Sequence, residues 1–379
     1  MKTVGIICEY NPLHAGHKKQ FDIIRQNLGG DTAIVCLMSG NFVQRGAPAI
    51  FDKSLRAQAA ILSGADLVLE LPVNCALSSA EGFAAGGVKI LSGFCDYLCF
   101  GCETGDADSL TETARALLSP DFSEALRLHL DKGLSFPAAR QAALGEKGAL
   151  LRNPNDILAV EYCKAILAQG SPLQLLPIHR VGGYHDTAAD KENPSATAVR
   201  ALIANAHDWK SCVPTAAREV FDGATAHTLA AGERAILAKL RTMADEEFEA
   251  LPYGNEGLWR KFMHACRNSA TLEDIIAATK SKRYTRTRLD RMVMCACLGI
   301  TKEALESPAP YTRVLALSDI GRTVLKNARQ CGQFPHVGEA TDDPYWLFEQ
   351  RCNDLYGLFA VDALPPAGLE TKRRVFYTK

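Results

Sequence analysis

The strongest constraint on the fold is an alternation in the first half of the chain. Apolar runs at 3–8, 33–38, 67–70, 97–100 and 173–177 have the length of buried strands. Between them, 15–27, 53–63 behind a capping Asp52, and 79–91 carry helical periodicity. Parallel strands need a crossover, and a helix is the usual one. The alternation therefore predicts an α/β fold built on a Rossmann-like parallel sheet. Three more helices fill 110–144, and 156–169 reads as another, closed by Gly170-Ser171-Pro172. From about Ala206 strand signals fade and helical periodicity runs to about Ile300. The remainder, with Pro308, Pro310, Pro335, Pro344, Pro365 and Pro366, reads as irregular. Two domains are expected: 1–205, built on the sheet, and 206–379, mainly helical.

In such a sheet ligands gather beyond the carboxyl ends of the strands, which directs attention to Gly5-Ile-Ile-Cys-Glu-Tyr-Asn-Pro-Leu-His-Ala-Gly-His17. It reads as a strand, a tight Asn11-Pro12 turn, then His14-x-Gly16-His17 opening an amphipathic helix. Backbone N–H groups at a helix start face a bound anion, and the glycine admits a nucleotide close to the backbone. Two imidazoles one turn apart can donate to a phosphoryl group whose charge grows in the transition state. Zinc ligation and plain solvation are the alternatives, but neither uses the glycine, and zinc needs further ligands. A second segment, Ser195-Ala-Thr197-Ala-Val-Arg200, follows Asn193-Pro194. Ser195 suits an N-cap, with Thr197 and Arg200 on one face near the helix start. Hydroxyls and a guanidinium there suit the outer phosphates of a triphosphate. Taken alone, it is equally an ordinary capped helix with a surface arginine.

Together, H-x-G-H and S-x-T-x-x-R form the two-part signature of the H-x-G-H nucleotidyltransferase superfamily. Its adenylyltransferases use the first part at the α-phosphate and the second at the β- and γ-phosphates. The chain also carries Met38-Ser-Gly-Asn-Phe-Val-Gln-Arg-Gly46, Ser63-Gly-Ala-Asp-Leu-Val-Leu-Glu-Leu-Pro72, Phe100-Gly-Cys-Glu-Thr-Gly-Asp106 and Pro154-Asn-Asp-Ile-Leu158. Arg180-x-x-x-Tyr184-His-Asp186 and Lys282-Arg-Tyr-Thr-Arg-x-Arg288 follow. This ordered set, spanning nearly the whole chain, resembles the bacterial tRNA(Met) cytidine acetate ligase family. The resemblance implies a nucleotidyltransferase domain followed by a tRNA-binding one. It implies activation of acetate with ATP as acetyl-adenylate, then acetylation of N4 of the wobble cytidine in elongator tRNA(Met). His14, His17 and Arg200 would be catalytic. ATP would be held by Ile7, Cys8, Glu9, Tyr10, Asn11, Pro12, Leu13, His14, Ala15, Gly16, His17, Lys18, Lys19 and Gln20, and by Gly101, Asn155, Arg180, Ser195 and Thr197. Mg²⁺ would accompany the triphosphate, and no protein metal ligands are assigned. Gln44 and Arg45 could hold acetate or pyrophosphate or simply build a loop. His185 or Asp186 is a conceivable base for acetyl transfer.

Charge is shared unevenly. Residues 256–379 hold 19 Lys+Arg against 14 Asp+Glu, a net of +5, although the whole chain is at −1. The densest basic run, Lys280 to Arg291, carries Lys282, Arg283, Arg286 and Arg288, with Tyr284 among them. It reads as a tRNA-binding surface or as a solvated basic helix. A 47% hydrophobic content supports a large core. No apolar run approaches the ~18 residues of a membrane span, and no basic-plus-apolar leader opens the sequence. With thirteen scattered cysteines, a reduced cytoplasmic protein without membrane or evident protein partner is expected. Cys95-x3-Cys99-x2-Cys102 matches the spacing of a radical-SAM iron–sulfur site, but Cys99 falls inside an expected strand. Two other functions share these features: adenylyl transfer to a phosphorylated metabolite, and tRNA binding without catalysis.

Overall fold

The computed structural model describes residues 1–179, 194–205, 207–308, 311–330, 334–338 and 342–379. Each expected strand forms: β1 (Thr3–Cys8), β2 (Ala33–Ser39), then a small hairpin of β3 (Phe42–Val43) and β4 (Ala47–Pro48), β5 (Leu67–Leu71), β6 (Tyr97–Cys102) and β7 (Gln174–His179). Three more follow: β8 (Thr312–Ser318), β9 (His336–Val337) and β10 (Phe376–Thr378). The main sheet runs β10-β8-β5-β2-β1-β6-β7, with β9 also on β8. Its five strands β5-β2-β1-β6-β7 are parallel. The helices Ala15–Leu28 and Lys53–Leu62 pack on one face, and Ala80–Leu91 and Pro154–Gln169 on the other. The winding direction reverses between β1 and β6, which makes the carboxyl ends of those two strands the switch point.

The stretch beyond residue 300, expected to be irregular, instead returns to the sheet. β8 pairs antiparallel with β5, and β10 pairs parallel with β8. The prolines do not oppose this. Pro308 and Pro335 lie outside the strands, and Pro344 occupies the first turn of the helix Pro344–Tyr356, where no N–H bond is required. The sheet thus draws on both sides of residue 205. The helical region between has its own core, from Ile236, Phe248, Phe262, Ile276 and Met292, which also takes in Phe42 and Leu77.

A buried charge network fastens the returning segment. Lys53, fully buried, reaches Glu70 and Glu370, each at 2.6 Å. Arg313 and Arg373 also bind Glu370, and Arg373 continues to Asp52. Three cations and three carboxylates balance. Glu349 stands beside them as a seventh group. Its Oε1 accepts the Val73 N–H at 2.7 Å and lies 3.2 Å from the Tyr345 hydroxyl. That hydroxyl spends its hydrogen on Asn74 Oδ1 at 2.7 Å, because the Asn74 amide nitrogen donates to the Ser307 carbonyl. The nearer acceptor takes most of that hydrogen, so Tyr345 does little to stabilise a charge on Glu349, and the Glu349 carboxyl holds its proton more tightly. Burial, with Glu70 nearby, raises its pKa from 4.5 to about 7. The folded state keeps this proton longer than the unfolded chain, so stability falls as pH rises from about 4.5 through about 7. Glu349→Gln, permanently neutral, should melt like the wild type at pH 5 and several degrees higher at pH 8. An equal difference at both pH values would refute a protonated Glu349.

Candidate active site

His14 is the N-cap of the helix Ala15–Leu28, and with His17 it forms a capping box made of imidazoles. His14 Nδ1 accepts the Gly16 N–H at 3.2 Å, and His17 Nδ1 accepts the His14 N–H at 3.2 Å. A backbone N–H can only donate, so both neutral rings carry their proton on Nε2. The rings stack at 3.7 Å. The spacing of the motif therefore caps the helix and fixes two parallel Nε2–H donors beside its positive end. Gly16 is needed for a local reason as well: a Cβ there would lie 3.1 Å from His14 Cε1.

The loop below is rigidly held. Tyr10 is buried, its edge meets His17 at 4.8 Å, and its φ of 43° is in the left-handed region. Asn11 Oδ1 accepts the Ile50 N–H at 2.8 Å. Cys8, Tyr10, Asn11, Pro12 and Leu13 are all buried, so they shape the loop rather than offer side chains to solvent; Ile7 is packed beneath the helix Ala80–Leu91 at Gly87. Lys18 pairs with Asp22, Lys19 is exposed, and Gln20 reaches Cys99 on β6 at 3.5 Å. One important residue was not legible in the sequence. Arg56, fully buried, donates to the carbonyls of Glu9 at 2.5 Å, Ser39 at 3.2 Å and Gly40, tying together the loops after β1 and β2.

The second motif meets the first. Ser195 caps the helix Ala196–Ala204 through the Ala198 N–H at 3.0 Å. Arg200 Nη1 donates to the Asn11 carbonyl at 2.7 Å and Nη2 to Thr197 Oγ1 at 3.2 Å. The guanidinium thus bridges two segments 189 residues apart in sequence. Gly101 is the penultimate residue of β6, and Glu103, just past the strand, accepts from the Asn155 amide at 2.7 Å and from the Asp156 N–H at 2.9 Å. Asn155 is thus held at the carboxyl end of the strand that carries Gly101. Arg180, Tyr184, His185 and Asp186 lie outside the described residues.

The basic run divides. Arg283 pairs with Glu256 at 2.6 Å, and Arg286 with Glu273 at 2.7 Å and Asp290 at 2.9 Å. Lys282 is exposed. Arg288 turns inward to the Tyr253 carbonyl, at 2.6 Å from Nη2. Cys99 and Cys102 belong to cores on opposite faces of the sheet, and burial pushes the Cys99 thiol up to about 12, so the cysteine spacing builds no cluster site. Among the described residues no three His, Cys, Asp or Glu side chains gather as metal ligands, and no helix is long and apolar enough to cross a membrane.

The family model described as HIGH nucleotidyl transferase matches residues 1–364. A tRNA(Met) cytidine acetate ligase of Clostridium novyi is 36% identical over 357 residues, 88% of this chain and 89% of that one. Another, of Acetivibrio thermocellus, is 33% identical over 380 residues, 90% of this chain and 89% of that one. The chain belongs to the tRNA(Met) cytidine acetate ligase family. Solved structures agree with this membership. Apo Thermotoga maritima TmcAL matches with a TM-score of 0.90 at 29% identity, covering 100% of both chains. Its form bound with alpha-thio ATP matches with a TM-score of 0.90 at 30% identity, with the same coverage.

Proposed function

We propose that the chain condenses acetate with ATP to acetyl-adenylate, releasing pyrophosphate, and passes the acetyl group to N4 of the wobble cytidine of elongator tRNA(Met). The observation that carries this reading is the Arg200–Asn11 bond, which brings the second motif against the loop that holds two oriented Nε2–H imidazoles. Acetate is already ionised at neutral pH, so the first step needs no base. It needs an oxygen brought in line with the α-phosphorus and donors where phosphoryl charge accumulates. His14 and His17 supply those donors, with the helix N-terminus behind them. Arg200, with Ser195 and Thr197, takes the departing pyrophosphate. Gly101 and Asn155 receive the nucleoside, and Arg180 adds a further phosphate contact. The triphosphate would bring Mg²⁺ with it, held by the phosphates and water rather than by side chains of this chain, and the ion would shield their charge. In the second step N4 attacks the acetyl carbonyl and AMP leaves. The nucleotide chemistry belongs to residues 1–205 and the returning strands. The run from Lys280 to Arg291, including Lys282, Arg283, Arg286 and Arg288, faces the tRNA, and the work is done in the cytoplasm.

ATP–pyrophosphate exchange tests the first step. Exchange should require acetate, alone or together with elongator tRNA(Met). Absence of exchange in every combination, with ATP still bound, would turn the reading towards another adenylylated acceptor or a binding protein.

A further inference from the structure

A groove of about 860 Å³ runs along the helix Ala80–Leu91, walled on its far side by 252–255 and 302–308 of the helical region and by one face of the helix Arg286–Leu298. Lys89, Arg288, Arg291 and Lys302 line it, against Glu81 and Glu306. Glu81 is engaged by Lys164 at 2.6 Å. The four cations differ from the outward arginines of the same basic run. Arg283 and Arg286 are neutralised by Glu256, Glu273 and Asp290, whereas none of the four has a carboxylate within ion-pair distance among the described residues.

Arg288 and Arg291 are fixed by neutral groups instead. Arg288 lies on the Tyr253 carbonyl and over the Tyr284 ring at 5.2 Å, and Arg291 lies over the Tyr253 ring at 5.0 Å. Arg291 Nε is buried with no hydrogen-bond partner. Holding two arginines one turn apart without a carboxylate in contact costs stability, so the arrangement favours an anion from outside. The cations stand on three separate elements along the groove, a spread that suits a polyanion better than one phosphate.

The groove also points somewhere. Arg291 Nη1 reaches the Gln44 carbonyl at 3.5 Å, and the Gln44 N–H donates to Glu9 Oε1 at 2.8 Å. Gly46 is pressed against the backbone of Asp290 and Arg291, where a Cβ would come within 2.4 Å. One end of the groove is thus a single hairpin away from the Glu9–His14 loop.

We infer that this groove holds one strand of the RNA substrate by its phosphodiester backbone and leads it to the His14 loop. The inference rests on the reading that the chain acts on tRNA. Its test is binding of an elongator tRNA(Met) transcript across a salt series, by the wild type, by a Lys89→Gln/Lys302→Gln variant and by an Arg283→Gln/Arg286→Gln variant. Lys89 and Lys302 are exposed, and unchanged melting verifies their fold; Lys302→Glu alone is the second groove variant. Losing two phosphate contacts should weaken binding about tenfold and flatten the log K against log salt slope by about 1.4. The Arg283/Arg286 variant should lose less, because each of those arginines is already spent on an acid. Wild-type affinity and slope in both groove variants would overturn the groove as the RNA path. A wild type that shows no salt-dependent tRNA binding would instead overturn the tRNA reading itself.

Discussion

His17→Asn should give a folded protein that forms almost no acyl-adenylate. The asparagine Oδ1 sits close to where His17 Nδ1 accepts the His14 N–H at 3.2 Å, so the capping box and the helix start survive. What disappears is the Nε2–H donor. Removing one donor of this kind costs on the order of 10²–10³ in rate, and exchange should fall by that factor while melting barely shifts. His17→Gln can also reach back to the His14 N–H, because glutamine at this third helical position completes a capping box. It should melt close to the wild type, and its amide N–H, the nearest substitute for the lost Nε2–H, should keep more activity than asparagine. Comparable exchange in the asparagine variant and the wild type would separate the imidazole from the chemistry. Equal loss in both variants would show that an amide N–H cannot stand in for the imidazole donor.

The contrast also shows what the sequence could and could not reveal. Strand, Asn-Pro turn and H-x-G-H were readable in order, and the structure builds them in that order. The tautomers were not readable, because they follow from which backbone N–H each Nδ1 meets. The same holds for Arg200: its place on the helix Ala196–Ala204 follows from local spacing, but its partner is the carbonyl of Asn11, 189 residues away in sequence. The segment of β8 reads locally as irregular because prolines lie on either side of it, whereas its short apolar run gains meaning only beside β5. The basic run was visible as composition. Which of its arginines are spent on acids depends on where Glu256 and Glu273 are brought by folding.

Lys53→Met should be among the most destabilising single substitutions available to this chain. Lys53 is fully buried between Glu70 and Glu370, each at 2.6 Å. Methionine fills much of the same space, so the effect isolates charge. Glu70 is left facing the neighbouring Glu370 without its cation, and Glu370 must rely on Arg313 and Arg373. Breaking a buried pair from one side costs about 3–5 kcal/mol, which in a chain of this length corresponds to a melting temperature lower by about 4–6 °C. Adding Glu70→Gln removes the orphaned charge and should recover several degrees, a coupling expected only between touching groups. A Lys53→Met protein that melts with the wild type would mean that the network carries no net stabilisation.

The location of that network has a consequence for biosynthesis. Thr312 bonds to Glu70 across 242 residues, and Lys53 waits for Glu370. On the ribosome, β5 emerges with its outer edge bare and with Lys53 able to pair with Glu70 but not yet with Glu370, and it stays so while the whole helical region is made. The sheet is therefore completed last, not first. A nascent chain stalled anywhere before residue 312 would display an open strand edge, a natural target for chaperones and for misassociation between neighbouring nascent chains.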